Sequence, residues 1–261
     1  MIPETPLRRQ VGSGACGGQL RPVRVESLPR TGIQGHCLPP PEREVSAFPT
    51  TMPPAAPPPF VIGVLGGIAS GKSWVARALA GSEGVLIDAD AIAREVLESP
   101  EVSSELVAAF GPKILLPNGK PDREELARRV FASPAERARL ESFTHPRIRA
   151  RIRALLDGAR ARRVPRVVLD VPLLLENEAA HGLVEECHQL LFVDSDPQAR
   201  ARRAAASRGW KLEEVARREA QQLPLEAKRA RAHFVIRNHG GLEELESQVH
   251  RYLAQLDLRA T

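Results

Sequence analysis

Eight consecutive residues, Gly66-Gly67-Ile68-Ala69-Ser70-Gly71-Lys72-Ser73, fit the phosphate-binding pattern G-x-x-x-x-G-K-[ST] at every fixed position. A polyphosphate needs several main-chain N–H groups converging on its oxygens, and glycines let the chain curl tightly enough to present them. Lys72 is expected to reach the β- and γ-phosphates of a nucleoside triphosphate, with the Ser73 hydroxyl on Mg²⁺. Gly67, Ala69, Ser70 and Gly71 supply the curl between. The competing reading is a Gly-rich turn that happens to precede a helix. The flanks argue against it: Phe60, Val61, Ile62, Val64 and Leu65 read as a buried strand, and the chain from Trp74 to Ala80 reads as a helix. A helix starting there adds unpaired N–H groups and a positive dipole end.

Phosphoryl transfer to a hydroxyl also needs a carboxylate that accepts the proton and aims the oxygen. Asp88 and Asp90 end the short apolar run that starts at Gly84, and ligands of open α/β sheets gather at such strand ends. On extended chain, residues two apart point the same way, so both are expected to face the cleft. One must also cap the helix expected from Ala91 to Leu97. Asp90 is therefore read as the base and Asp88 as the more structural of the two. A third candidate group is the run of arginines from residue 200 to 231. A guanidinium meets equatorial phosphate oxygens bidentately, although most of these arginines must form a solvated face.

The elements that hold these residues alternate. Apolar runs at Phe60–Leu65, Gly84–Asp88, Arg166–Val171, Leu190–Asp194 and Phe234–Ile236 are separated by helical patterns. That alternation implies an α/β fold, a five-stranded parallel sheet covered by helices on both faces as a three-layer sandwich. Between the second and third strands, helices are expected over 91–97, 102–110 and 122–131. Ser133-Pro134-Ala135-Glu136 opens a further helix as a capping box, ending near Phe143. After His145-Pro146 helical spacing resumes at Ile148, Ile152, Leu155 and Leu156. Asp196-Pro197 caps a charged, mostly helical stretch to residue 232, and an amphipathic helix closes the chain from Leu242 to Leu256.

Residues 1–59 are different in kind. They hold thirteen of the 23 prolines and six glycines without periodic apolar residues, too little to offset the entropy of ordering them. A disordered Pro-rich tail is expected there. Met52 stands just before the fold, so residues 1–51 are read as a possible over-long start. A net charge of +5 suits anionic ligands, but ten aromatic residues in no stacking series argue against nucleic acid. Three cysteines, Cys16, Cys37 and Cys187, form no C-x-x-C pair and point to a reducing compartment. No apolar run reaches the ~18 residues of a membrane span. A cytoplasmic protein, monomeric or a small homo-oligomer, with no membrane partner is the expectation.

Five segments together resemble the dephospho-CoA kinase family: the Gly66–Ser73 loop, Ile87-Asp88-Ala89-Asp90-Ala91-Ile92-Ala93-Arg94, Thr144-His145-Pro146, Val171-Pro172-Leu173-Leu174-Leu175-Glu176, and Phe234-Val235-Ile236-Arg237-Asn238-His239-Gly240. The likeness runs from about residue 61 to 257. It implies a kinase domain over 60–258 with a P-loop core, acceptor-binding helices over about 91–163 and a helical lid over about 197–232. It further implies ATP with Mg²⁺ as phosphoryl donor and the ribose 3′-hydroxyl of dephospho-CoA as acceptor. By the resemblance Asp90 is the general base, Arg203 the lid arginine on the phosphates, and Asp88, Arg94, His145, Pro172 and Leu173 line the acceptor side.

Some positions depart from the family pattern. Ala69 stands where glycine is common, so it must hold a negative φ or enter the left-handed region at a cost. Trp74 replaces a threonine and is expected on the adenine side. His233 and Arg237 replace aspartates at the last strand, and the spacing from Arg203 to Arg208 is one residue long, leaving open which of the two enters the cleft. Two alternatives therefore stay open at this point: another P-loop kinase acting on a nucleoside or small alcohol, and an ATP-binding regulatory protein without turnover. A GTPase switch is disfavoured because no N-K-x-D segment occurs.

Overall fold

The structure, a computed structural model, describes residues 57–260. The tail expected to lack structure lies outside the described residues up to residue 56; of its end, residues 57–59 have no regular structure and Pro59 is already buried.

Five strands form one parallel sheet: β1 (Phe60–Gly66), β2 (Val85–Asp88), β3 (Arg166–Asp170), β4 (Gln189–Asp194) and β5 (Phe234–Arg237). Their spatial order is β2-β3-β1-β4-β5, so β3 is inserted between the first two strands of the chain. The period of two along each strand divides the side chains between two cores. Val61 and Leu65 of β1, Val167 and Leu169 of β3, and Leu190 and Phe192 of β4 face one cluster. Ile62, Val64, Val168, Leu191 and Val193 face the other. Helix α1 (Lys72–Ala80) covers the second face, and α2 (Ala89–Leu97) belongs to the first.

Three further helices follow before β3: α3 (Pro100–Phe110), α4 (Arg123–Ala132) and α5 (Pro134–Ala161). Val102, Leu106, Phe110, Ile114 and Leu126 give α3, α4 and the turn between them a core of their own. The Ser133 hydroxyl accepts from the Glu136 N–H at 3.2 Å, as the capping box requires. The break expected near Phe143 does not occur, because α5 runs unbroken through Pro146. A proline in a helix interior removes the bond to the carbonyl four residues back. Here the neighbouring turns are tied by side chains: Thr144 Oγ1 donates to Leu140 O at 2.8 Å and Arg147 to Phe143 O at 2.7 Å. Ile152, Leu156 and Ala159 of the second half are buried against the sheet, which outweighs the local penalty.

Beyond β3 come the single turn α6 (Glu178–His181), then α7 (Pro197–Arg208), α8 (Leu212–Glu219) and α9 (Leu225–Ala230). Asp196 caps α7 by accepting from the Ala199 N–H at 3.0 Å, as its position before Pro197 led one to expect. Helix α10 (Leu242–Ala260) returns over the second face through Leu245, Val249 and Tyr252.

Candidate active site

The phosphate loop leaves the carboxyl end of β1, the central strand, and ends at α1. Gly71 is the N-cap residue of α1 at φ 97, and an added Cβ there would sit 2.5 Å from the Asn238 amide. That amide donates to Ser70 O at 2.8 Å, so β5 buttresses the loop from beyond its last residue. Ala69 does adopt the left-handed region, at φ 53, a cost of about 1–2 kcal/mol for a residue with a Cβ. Residues of α7 and α8 hold it there: Arg203 Nε donates to Ala69 O at 2.8 Å, and Glu219 accepts from the Ile68 N–H at 3.1 Å. Arg200, itself buried, pairs with Glu219 and lies where a Cβ on Gly67 would have to go. Lys72 Nζ reaches Gly67 O at 2.9 Å. Burial pushes its pKa down to about 8, against the pull of Asp170, while Lys228 and Arg208 push the same way as burial.

The two aspartates after β2 part company. The helix begins at Ala89, two residues earlier than expected, and Asp88 is its N-cap, accepting from the Ala91 N–H at 2.9 Å. Asp90 is thus in the first helical turn, and the two-residue strand period no longer relates the pair. Only Asp90 lines the cleft. Burial raises its pKa first, then the Asp88 and Asp170 carboxylates, with Arg94 and Arg208 opposing. A carboxylate so raised is a better proton acceptor near neutral pH.

Three connected spaces meet at this point. A cleft of about 700 Å³ is lined by Lys72, Ser73, Asp90, Asp170, Arg208, Trp210 and Arg218. On one side it adjoins a space of about 420 Å³ lined by Asp90, Glu141, His145, Arg149, Pro172, Leu173 and His181. On the other lies a space of about 610 Å³ lined by Ser70, Gly71, Lys72, Ser73, Trp74, Arg77, Arg203 and Arg208. Asp90, Pro172 and Leu173 belong to the first and second, and Lys72, Ser73 and Arg208 to the first and third. Asp90 is thus the carboxylate shared by the central cleft and the space around His145, while Lys72 and Ser73 are shared by the central cleft and the space around Trp74.

The family model described as CoaE, dephospho-CoA kinase, matches residues 60–244. The chain belongs to the dephospho-CoA kinase family. A curated dephospho-CoA kinase of Deinococcus radiodurans is 45% identical over 197 residues, which are 76% of this chain and 92% of that protein. A crystal structure of a Thermus thermophilus protein superimposes with a TM-score of 0.62 at 38% identity, over 77% of this chain and 99% of that one. A dephospho-CoA kinase structure from Campylobacter jejuni gives 0.55 at 26% identity, covering 75% and 96%.

Several expected family residues come together in these spaces. Loop residues Ile68 to Ser73, with Trp74, Asp90, His145, Pro172 and Leu173, each line one or more of them, whereas Gly67 lines none and faces Arg200 and Glu219 instead. Trp74 also packs its partly buried ring on the second core cluster. Leu173 is held at φ 57, a strained backbone lining both the central cleft and the space around His145. Arg94 is exposed one turn after Asp90, lines none of the three spaces, and acts on Asp90 through its charge. His233 and Arg237 are structural: His233 Nδ1 accepts from the Leu190 N–H at 3.0 Å, and the Arg237 main chain is bridged by Gln248.

Two residues were missed from the sequence. Asp170 is buried at the carboxyl end of β3, paired in register with Asp88, and lines the central cleft with Lys72. The signal was present, since Val167-Val168-Leu169-Asp170 has the same apolar-run-then-carboxylate form as Ile87-Asp88. His181 lines the space around His145 with Nδ1 accepting from the Leu183 N–H at 3.0 Å, and no partner for Nε2 exists among the described residues. Burial, then Arg149, lowers its pKa, so it is a neutral ring with an N–H donor. Nothing in its sequence context marks it.

Mg²⁺ fits the donors present. Among the described residues no three His, Cys, Asp or Glu side chains form a metal cluster. Ser73, Asp90 and Asp170 instead place isolated oxygens in one cleft, the sparse hard-oxygen set of a cation bound largely through phosphates and water.

Proposed function

We propose that the chain transfers the γ-phosphoryl group of ATP to the ribose 3′-hydroxyl of dephospho-CoA, giving CoA and ADP, the last step of coenzyme A biosynthesis. Family membership supports the reaction. The observation that carries the residue assignment is Asp90, which lines both the central cleft, with Lys72 and Ser73, and the space lined by His145 and His181.

ATP takes the space lined by Trp74 and Arg77, the donor space, with its phosphates on main-chain N–H groups of the loop between Ala69 and Ser73 and its base toward Trp74 and Arg77. Lys72 meets the β- and γ-phosphates as an ammonium. Ser73 and Asp170 would hold Mg²⁺, which would supply charge neutralisation when bound. Dephospho-CoA enters along His145, Pro172, Leu173 and His181, bringing its 3′-oxygen to Asp90. Asp90 takes the hydroxyl proton, the oxygen bonds to the γ-phosphorus, and the bridging P–O bond breaks with its electrons leaving on ADP. Of the two lid arginines, Arg208 meets the transferring group, because it lines both the donor space and the central cleft. Arg203 holds the loop through Ala69 O and the Ser195 hydroxyl.

The setting is the cytoplasm, a reading supported by the unpaired pattern of cysteines; among the described residues no helix is long and apolar enough to cross a membrane. The test is to incubate the purified chain with Mg-ATP and dephospho-CoA beside a panel of nucleosides, and to separate the products by chromatography. CoA and ADP in equal amounts are expected. ATP binding without CoA, or a preference for a nucleoside, ends the assignment.

A further inference from the structure

Phe131 is out of place for a core residue. It ends α4 with 57% of its surface exposed and lies outside the apolar cluster of its own helices. Its ring faces the lid, where the Arg218 guanidinium lies 5.2 Å from the Phe131 centroid and 4.0 Å from that of Trp210. The same Trp210 ring carries Arg208 at 4.9 Å. Arg218 is held in plane by Glu214 of its own helix, with Nε 2.5 Å from Oε1, which leaves both flat faces of the guanidinium for the rings.

We propose that Phe131, Arg218 and Trp210 form a latch joining the lid to the acceptor-side helices, and that Trp210 in this latch positions Arg208 over the central cleft. The proposal rests on the kinase reading for what Arg208 does, and on ring and guanidinium geometry for the latch itself. A guanidinium is the side chain such a bridge requires. It is planar with two equivalent faces, always charged and weakly hydrated, so it stacks on two rings at little desolvation cost. Phe131 and Trp210 are 79 residues apart in the chain. Trp210 and Arg218 line the cleft that also holds Lys72 and Asp90, as does Arg137 of α5, whose guanidinium lies 6.0 Å from the Phe131 ring centroid. The latch therefore couples closing the lid to the acceptor wall. Phe131, Arg218 and Trp210 are positioning residues, since none is asked to touch the reacting atoms.

The experiment compares the full chain with Phe131→Ala, Phe131→Tyr, Arg218→Lys and the double variant Phe131→Ala/Arg218→Lys. Losing one or two exposed cation–π contacts is expected to lower kcat/KM by about 2–30-fold, while affinity for ADP, read by calorimetry, stays near that of the unaltered chain. Phe131→Tyr restores the rate because the ring face is kept. The double variant falls no further than Arg218→Lys alone, because the guanidinium that stacks on Phe131 has already gone. Unchanged kinetics for Phe131→Ala, or strictly additive losses in the double variant, overturn the latch. A second reading needs no turnover. In a Trp74→Phe background Trp210 is the one tryptophan, and Phe131→Ala is expected to raise its quenching by acrylamide. Unchanged quenching overturns the latch even if no CoA is made, whereas raised quenching with no CoA made would sink the kinase reading alone.

Discussion

The sheet body and the helices α7 to α9, the segment proposed as the lid, are held together by different forces. The body buries Ile62, Leu79, Ile87, Leu169, Leu191 and Tyr252 to below 2% exposure, on two faces of five strands. The lid has one small cluster, Ile68, Ala204 and Val215, and its first residue is lent by the phosphate loop. What the lid lacks in apolar area it makes up in charge pairs: Arg200 with Glu219, Arg217 and Arg218 with Glu214, and Lys228 with Glu176 at 2.7 Å. Apolar burial is cooperative and indifferent to ligand charge, so the body keeps Asp90 and Lys72 in place through the reaction. Ion pairs and guanidinium stacks respond to an arriving polyanion, which is what a closing element needs.

The sharpest way to break this comparison is to neutralise one group on each side. Asp90→Asn in the body is expected to cut kcat by about 10²–10⁴-fold, with ATP affinity retained. Arg208→Ala in the lid lowers kcat by at least about 10²-fold and weakens retention of ATP as well. Steady-state kinetics with ATP titrations separate the two patterns, and equal patterns would mean that body and lid share one task.

Packing gives the next effect. Leu169→Ala is expected to cost the body about 2–5 kcal/mol in urea unfolding. Val215→Ala in the lid should move that global transition by about 1 kcal/mol or less, because the lid can open without unfolding the sheet. Its effect should appear instead as a raised KM for ATP.

The pH dependence follows from Lys72, whose pKa is lowered from 10.5 to about 8. Between those values the unfolded chain binds more protons than the folded one, so this group makes the unliganded fold more stable as pH rises through that window. Triphosphate binding wants the charged ammonium. Affinity for ATP is therefore expected to be level below pH about 8 and to fall by up to about tenfold per unit above it. Calorimetry at pH 7, 8 and 9 checks this, and a flat profile would place the Lys72 charge elsewhere. The smallest effect belongs to Ala69. Replacing it by glycine removes the left-handed penalty of about 1–2 kcal/mol but adds unfolded-state freedom, for a net gain of about 0.5–1 kcal/mol in unfolding free energy.

Elements and motifs of the body were legible in the sequence because each is a local signal. The loop pattern, the alternation of β1 and the caps at Ser133 and Asp196 all depend on residues within a few positions of one another. Pro146 misled for the same reason. Its local penalty was readable, but the burial of Ile152 and Leu156 that outweighs it was not. Asp88 and Asp90 looked equivalent on an extended chain and ceased to be so once the helix began at Ala89.

The sequence by itself determined that a triphosphate loop follows the first strand and that a carboxylate follows the second, since both are properties of contiguous chain. Only the tertiary structure decided that β3 slides between those strands and brings Asp170 beside Lys72. It also decided that Arg208, rather than Arg203, spans the donor space and the central cleft, and that Phe131 meets Arg218 across the gap. These contacts join residues about a hundred positions apart, or on separately packed helices. Their geometry is set by which faces are buried together, and no short window of sequence carries that.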